Sequence, residues 1–186
     1  MSARNQPVSI YQLKVTLKDN KPPIWRRIQI NSDITLDKLH QILQVVMGWF
    51  DYHLHQFVVY GEYYGTPDPD IGFEVKNEKR VKLNQLASES GDKFVYEYDF
   101  GDSWKHVILL EKILQPEAGV RYPVCLKGKR ASPPEDCGGV WGYDALLEAI
   151  QDPVHPEHKE MLEWLGGGFD PEKFDLDVVN QELKTI

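Results

Sequence analysis

Cysteine is nearly missing from this chain: Cys125 and Cys137 are the only two among 186 residues. Two thiols are too few for a disulfide framework, and their spacing is unlike a complete zinc motif, so both are expected to be free and reduced. Long apolar runs are missing as well. No segment approaches the roughly 18 consecutive apolar residues that a spanning helix requires, and the polar start MSARNQPVS has no apolar signal region behind it. The expectation is a soluble, cytoplasmic protein with no membrane partner. Positive charge is in deficit, since 21 Lys and Arg stand against 29 Asp and Glu for a net charge of −8. That balance opposes nonspecific DNA binding, which works by neutralising phosphates with Lys and Arg. The basic runs Lys76–Lys82 and Lys127–Arg130 read as local patches or solvated faces. Neither an internal repeat nor a low-complexity tract is present.

What is there is a chain with 41% hydrophobic residues, enough for one sizeable core. Tyr11, Leu13, Val15 and Leu17 alternate with polar residues at the period of a half-buried strand, and IWRRIQI after the turn-like DNKPP reads as its hairpin partner. From Thr35, a candidate N-cap, Leu36, Leu39, Leu43, Val46 and Met47 recur at helical spacing until Gly48 supplies a stop. HLHQFVVY returns to strand character. The opening is thus β-β-α-β, compatible with a β-grasp-like sheet crossed by one helix. Residues 61–80 look like an exposed excursion. FVYEYDF and SWKHVILLEKI predict a second hairpin turning at Gly101 and Asp102. YDALLEAI, PEHKEMLEWL and FDLDVVNQEL predict three short helices, with Pro156 and Pro171 in first turns and Gly166 to Gly168 closing the second. The fold class is α+β: a mixed β-sheet with a helical C-terminal third. Residues 1–186 read as a single domain, mainly sheet plus one helix over 8–115, a motif loop over 116–142 and helices over 143–186.

Chemistry concentrates in three strings. In YEYDFGDSWKH a two-residue turn at Gly101 and Asp102 would pair Asp99 with Trp104 and Glu97 with His106. That register gathers Glu97, Asp99, Trp104 and His106 on one face, away from Tyr96, Tyr98 and Val107. Carboxylates beside an imidazole raise its pKa or share a metal with it, while the bland alternative is a solvated hairpin face with one ion pair. In HLHQF, His53 and His55 would point to one side of a strand, a spacing that suits a metal or simply closes the wet end of an apolar face. PPEDCGGVWGY combines two prolines, two adjacent glycines, Glu135, Asp136 and Cys137. It is either a shaped functional loop or a rigid connector docking Trp141 and Tyr143 on the sheet. The candidate functional face is Glu97, Asp99, Asp102, Trp104, His106, Glu135, Asp136 and Cys137. The candidate metal ligands are His53, His55, Asp99 and His106, for Zn, Mn or Mg. Cys137 as a nucleophile would need an activating base, and the sequence shows none. The loop from Pro133 to Gly139 is expected to pack against the hairpin at 96–106.

Together HLHQF, YEYDFGDSWKH and PPEDCGGVWGY closely resemble the plasmid pRiA4b ORF-3-like family, over a span from about Ile10 to the FDPEKFDLDVVN stretch. The resemblance implies an α+β domain of unestablished biochemical role, found beside plasmids and mobile elements and sometimes labelled resolvase-like from its genomic neighbourhood. Members often carry Cys where this chain has Ser132, which argues against a cysteine-rich metal site as an essential feature here.

Two function classes follow. One is a non-catalytic interaction module that binds a protein or a structured nucleic acid through an aromatic and acidic face. It fits five tryptophans, 11% aromatic content and the lack of any complete catalytic signature. The other is a metal-dependent hydrolase or nuclease drawing on the His, Asp and Glu cluster. The chain contains no GxSxG elbow. Its DFG triplet lacks the HRD and glycine-rich partners of a kinase.

Overall fold

The structure, a computed structural model, describes residues 8–68 and 74–186. Residues 1–7 of the polar start and 69–73 of the predicted excursion lie outside them. Strands β1 (Ile10–Leu17) and β2 (Trp25–Asn31) form the predicted hairpin, and helix α1 (Leu36–Met47) follows. Thr35 stands at the N-cap but its side chain does not cap; the Leu36 amide instead bonds the Val81 carbonyl at 3.0 Å. Gly48, left-handed at φ 73°, ends the helix as its position after the last apolar residue predicts.

Then come β3 (His55–Val59), β4 (Glu62–Gly65), β5 (Val75–Asn77), β6 (Lys93–Tyr98), β7 (Trp104–Leu114) and β8 (Val124–Lys129). Helices α2 (Gly139–Gln151), α3 (His158–Trp164) and α4 (Leu176–Leu183) complete the chain. The eight strands form one sheet in the order β5-β4-β3-β6-β7-β1-β2-β8, antiparallel except for the β4–β5 pair. The α+β class is therefore correct, and the β-β-α-β order is present in the chain. Its strands do not sit together, however, because the β6–β7 hairpin lies between β1 and β3. The excursion at 61–80 carries β4, β5 and a 3-10 turn at Glu78–Arg80, and residues 116–142, expected to form a loop, carry β8. The alternation in VCLKGK is too weak to announce a strand, and pairing with β2 makes it one. Asn180 of α4 then accepts from the Cys125 amide at 2.8 Å and donates to its carbonyl at 2.9 Å, so this outer strand does not offer that backbone to another chain. Helix α4 starts at Leu176, capped by the Asp175 side chain, and not at Pro171, which lies in a preceding turn.

Only one sheet face carries the core. Tyr11, Leu13, Val15 and Leu17 of β1, Ile28 and Ile30 of β2, Phe94, Tyr96 and Tyr98 of β6 and Trp104, Ile108 and Leu110 of β7 pack with α1, Tyr143, Leu146 and Leu183. The opposite face is polar, with Glu111 held by Gln12 at 2.9 Å and by both arms of Arg27. Period-two alternation explains this division without further assumptions.

Candidate functional site

The hairpin register differs from expectation. Tyr98 pairs with Trp104, Glu97 with Lys105 and Tyr96 with His106, so the connection runs over five residues, Asp99 to Ser103. The cause is Asp99. It adopts a left-handed φ of 57°, which aspartate tolerates better than most residues, and its Oδ1 accepts from the Gly101 amide at 2.9 Å. The Ser103 amide then reaches back to the Asp99 carbonyl at 2.6 Å. Moving the pairing by one residue transfers Trp104 and His106 to the core face. Trp104 is 1% exposed and His106 is fully buried, while Glu97 stays on the polar face with Gln56, Ser103 and Lys105. The proposed convergence of Glu97, Asp99, Trp104 and His106 does not occur. Burial pushes the His106 imidazole down to about 4, not up.

The HLH histidines also part company, because β3 begins only at His55 and His53 lies in a bend before it. His55 enters a buried assembly that the sequence did not advertise. Its ring stacks on His40 of α1 at 3.5 Å between centroids and 3° between planes, and its Nε2 lies 2.8 Å from Oε2 of buried Glu78. His40 Nδ1 sits 2.8 Å from the Tyr96 hydroxyl, which also accepts from Gln44 at 3.0 Å, and His40 Nε2 sits 2.9 Å from Asp51. The Asp51 carboxylate can only accept, so the neutral His40 ring carries its proton on Nε2, toward Asp51, and its Nδ1 accepts from the Tyr96 hydroxyl. Burial, then the neighbouring His55, lowers the His40 pKa.

Around His53 three segments converge: the WFDYHLH stretch after α1, the Asp99–Ser103 turn and the Pro133–Gly138 loop. Trp49 is their anchor. Its indole donates to the Pro133 carbonyl at 2.9 Å, and its ring packs on Tyr98 at 5.0 Å and edge-on to His106 at 5.3 Å. The Tyr98 hydroxyl accepts from the Tyr52 and His53 amides and donates to Glu135, whose other oxygen accepts from the Phe50 amide at 3.1 Å. Burial, followed by this Glu135 contact, raises the Tyr98 pKa. Asp102 accepts from the Gly138 amide at 3.1 Å. The hairpin and the PPEDCGG loop are thus in direct contact. His53 Nε2 lies 3.1 Å from Asp136 and 3.7 Å from Asp99.

Two glycines explain much of the loop's composition. A Cβ on Gly142 would lie 1.9 Å from the Cys137 carbonyl oxygen, and one on Gly139, itself at φ 70°, would lie 2.7 Å from the Asp102 carbonyl oxygen. Both positions bring backbone against backbone, which only glycine permits. Of the two residues expected to dock on the sheet, Tyr143 is buried, whereas Trp141 is 87% exposed.

Cys125 and Cys137 are free thiols. Burial, aided by Asp102 and Asp136, pushes Cys137 up to about 12, and burial pushes Cys125 up to about 11. A nucleophilic role for Cys137 has no support in such surroundings, because the thiolate is the reactive form. Alkylation with iodoacetamide at pH 8 is expected to leave both thiols unmodified in the folded chain and to modify both once urea unfolds it. Rapid labelling of Cys137 before unfolding would contradict this account.

Aromatic and apolar side chains surround the His53 cluster at the surface: Phe50, Tyr52, Leu54 and Phe100 are all exposed. Beside them a groove of about 480 Å³ is lined by Trp49, Phe50, Tyr52, Pro133, Pro134, Glu135, Asp136, Trp164 and Phe169, among others. No described helix is long and apolar enough to cross a membrane.

Relatives share both sequence and architecture. The chain is 41% identical over 180 residues to an uncharacterized protein of Sinorhizobium fredii, y4hQ, an alignment covering 96% of this chain and 92% of that one. The crystal structure of MM3350, a protein of unknown function from Methanosarcina mazei Go1, superposes with a TM-score of 0.85 at 42% identity, covering 92% of this chain and 98% of that one. Residues 9–178 match the plasmid pRiA4b ORF-3-like protein family, so the motifs HLHQF, YEYDFGDSWKH and PPEDCGGVWGY, now seen folded into one cluster, mark a chain that belongs to it.

Proposed function

We propose that the protein is a non-catalytic interaction module of the reducing cytoplasm, and that the groove beside Phe50 and Trp164 docks a segment of a partner protein carrying basic and large apolar side chains. One observation carries the reading: the groove presents Trp49, Phe50, Tyr52, Trp164 and Phe169 with Glu135 and Asp136, and its lining contains no Lys or Arg. Phe50 is 71% exposed and Tyr52 75%, and their rings lie 5.8 Å apart at an interplanar angle of 23°. Exposed stacked aromatics are the residue types that dominate binding energy at interfaces, and they lose little conformational entropy on contact. Carboxylates at the rim select a basic partner and repel a phosphate backbone, which ranks a protein segment above a nucleic acid.

Selection of a displayed random-peptide library on the immobilised full chain is expected to enrich peptides with Arg or Lys next to an aromatic or leucine. The selected peptides should lose at least tenfold in affinity to Phe50→Ser and Trp164→Ala, both surface changes that leave the core intact. Enrichment of sequences without basic residues, or undiminished binding to these variants, would defeat the proposal. Preferential binding of a single-stranded oligonucleotide at the same groove would do so as well.

A further inference from the structure

We propose that His53, Asp99 and Asp136 form a binding site for one divalent transition-metal ion, Zn²⁺ or Mn²⁺. The site shares Asp136 with the lining of the docking groove, but its three residues come from three separate segments and the argument is coordination chemistry, not exposed area.

The ligand atoms of His53, Asp99 and Asp136 all lie within 4.8 Å of one another. His53 Nε2 is 3.1 Å from Asp136 Oδ1 and 3.7 Å from Asp99 Oδ2. Two ligands held at about 2.1 Å from one ion in tetrahedral geometry stand about 3.4 Å apart, and the observed separations bracket that value. The imidazole nitrogen is itself shut off from solvent and is aligned for a hydrogen bond with neither carboxylate. A buried polar atom without a well-aligned hydrogen bond is uncommon in folded proteins; a proton on Nε2 would form ion pairs with the two carboxylates at these distances, and a divalent ion would take the place of that proton between the same three groups. The donor set of one nitrogen and two oxygens is borderline in hardness, which suits Zn²⁺ or Mn²⁺. Charge also closes: two carboxylates and a neutral imidazole balance one divalent ion, so the ion removes a repulsion between Asp99 and Asp136 without leaving net charge.

The other cluster of metal-ligating side chains among the described residues provides an internal contrast. His40, Asp51 and His55 also bring their ligand atoms within 4.8 Å. Their imidazoles are stacked face to face with planes 3° apart, so the in-plane lone pairs run parallel and do not converge on a point. Each Nε2 is already engaged, His40 by Asp51 and His55 by Glu78. That assembly is satisfied by hydrogen bonds, whereas the His53 nitrogen is not. Three protein ligands leave at least one coordination position for water or for an oxygen of a bound molecule, the arrangement of open metal sites.

The test uses the full chain stripped with EDTA and exchanged into chelator-free buffer, titrated calorimetrically with Zn²⁺ and separately with Mn²⁺. One ion per chain is expected for at least one of the two metals, with a matching rise in the thermal unfolding midpoint. Asp136→Asn changes an exposed side chain and should fold normally; it is expected to weaken binding at least tenfold and to abolish the rise in midpoint, as is His53→Ala. Glu97→Gln, on the opposite face of the sheet, should bind like the parent chain. Failure of both metals to bind at millimolar concentration would overturn the proposal. Unweakened binding to Asp136→Asn, or binding lost in Glu97→Gln, would overturn it equally.

Discussion

Arg26→Leu is expected to destabilise the fold by about 3 to 5 kcal/mol, because it strips donors from several buried acceptors at once, each worth roughly 1 to 3 kcal/mol. Arg26 is only 2% exposed on the core face of β2 and forms no ion pair with a carboxylate among the described residues. Its Nε donates to the Val46 carbonyl at 2.8 Å, Nη1 to the Trp25 and Lys129 carbonyls at 2.9 and 3.0 Å, and Nη2 to the Ser132 hydroxyl at 3.1 Å. The guanidinium also lies over the Phe174 ring at 4.2 Å from its centroid. Burial pulls its pKa down to about 10, so it remains charged at neutral pH. One side chain therefore ties the C-terminal end of α1, where a cation meets the negative end of the helix dipole, to β8, to the residue before the PPEDCGG loop and to the approach to α4. Arg26→Lys keeps the charge but not the fork and should fall between the two. Urea unfolding monitored by tryptophan fluorescence gives the comparison, and a loss below about 1 kcal/mol for the leucine variant would show that the fork contributes little.

A second large effect is expected from acid. His106 is fully buried, and neither ring nitrogen has a hydrogen bond of proper geometry. Desolvation holds its pKa at about 4 against the smaller, opposite influence of the Tyr96 and Trp104 backbone. A histidine near 6.5 in the unfolded chain and near 4 in the folded one binds its proton more readily when unfolded. Its neutral form thus favours folding above pH 6.5, and this contribution is lost as pH falls from 6.5 toward 4. The span corresponds to about 3.5 kcal/mol at 1.4 kcal/mol per unit. His106→Phe should remove most of that acid sensitivity while costing little at pH 7, since the imidazole has no hydrogen bond to lose. Paired urea titrations of the two chains at pH 7 and pH 4.5 decide the matter: equal losses of stability in both would assign the acid response to other groups.

The strands and helices were largely legible because they rest on periodicities of one side chain at a time. Alternation in β1 and β6 named the core face, and the apolar spacing between Thr35 and Gly48 bounded α1, whereas the face assigned to β7 was inverted with its register. The register of the β6–β7 hairpin was not legible, because it depends on Asp99 entering a left-handed conformation and widening the turn, an event without a pattern in the letters. That single step removed His106 and Trp104 from the candidate site. Asp99, Asp102, Glu135 and Asp136 remained near one another because the loop that bears them closes on the turn. His40 escaped notice as one more interior position of an apolar helix face, and Asp51 and Glu78 because their partners are brought by α1 and β3. The string WFDYHLH, which interleaves aromatics with Asp and His, was the one available hint.

The place of β1 in the middle of the sheet has a consequence for the order of events on the ribosome. One edge of β1 pairs at once with β2, its neighbour in the chain, but the other pairs with β7, about 90 residues later. At a synthesis rate of about 5 to 20 residues per second, that second edge stays open for roughly 5 to 20 s. During the interval Leu13, Val15 and Leu17 form an apolar strip on an unpaired strand, the kind of surface that recruits a second nascent chain or a chaperone. Docking of the β6–β7 hairpin onto β1 is a closure of high contact order, a class of contact that forms slowly. Destabilising that hairpin would lower the yield of folded protein during synthesis by more than its effect on equilibrium stability alone would suggest.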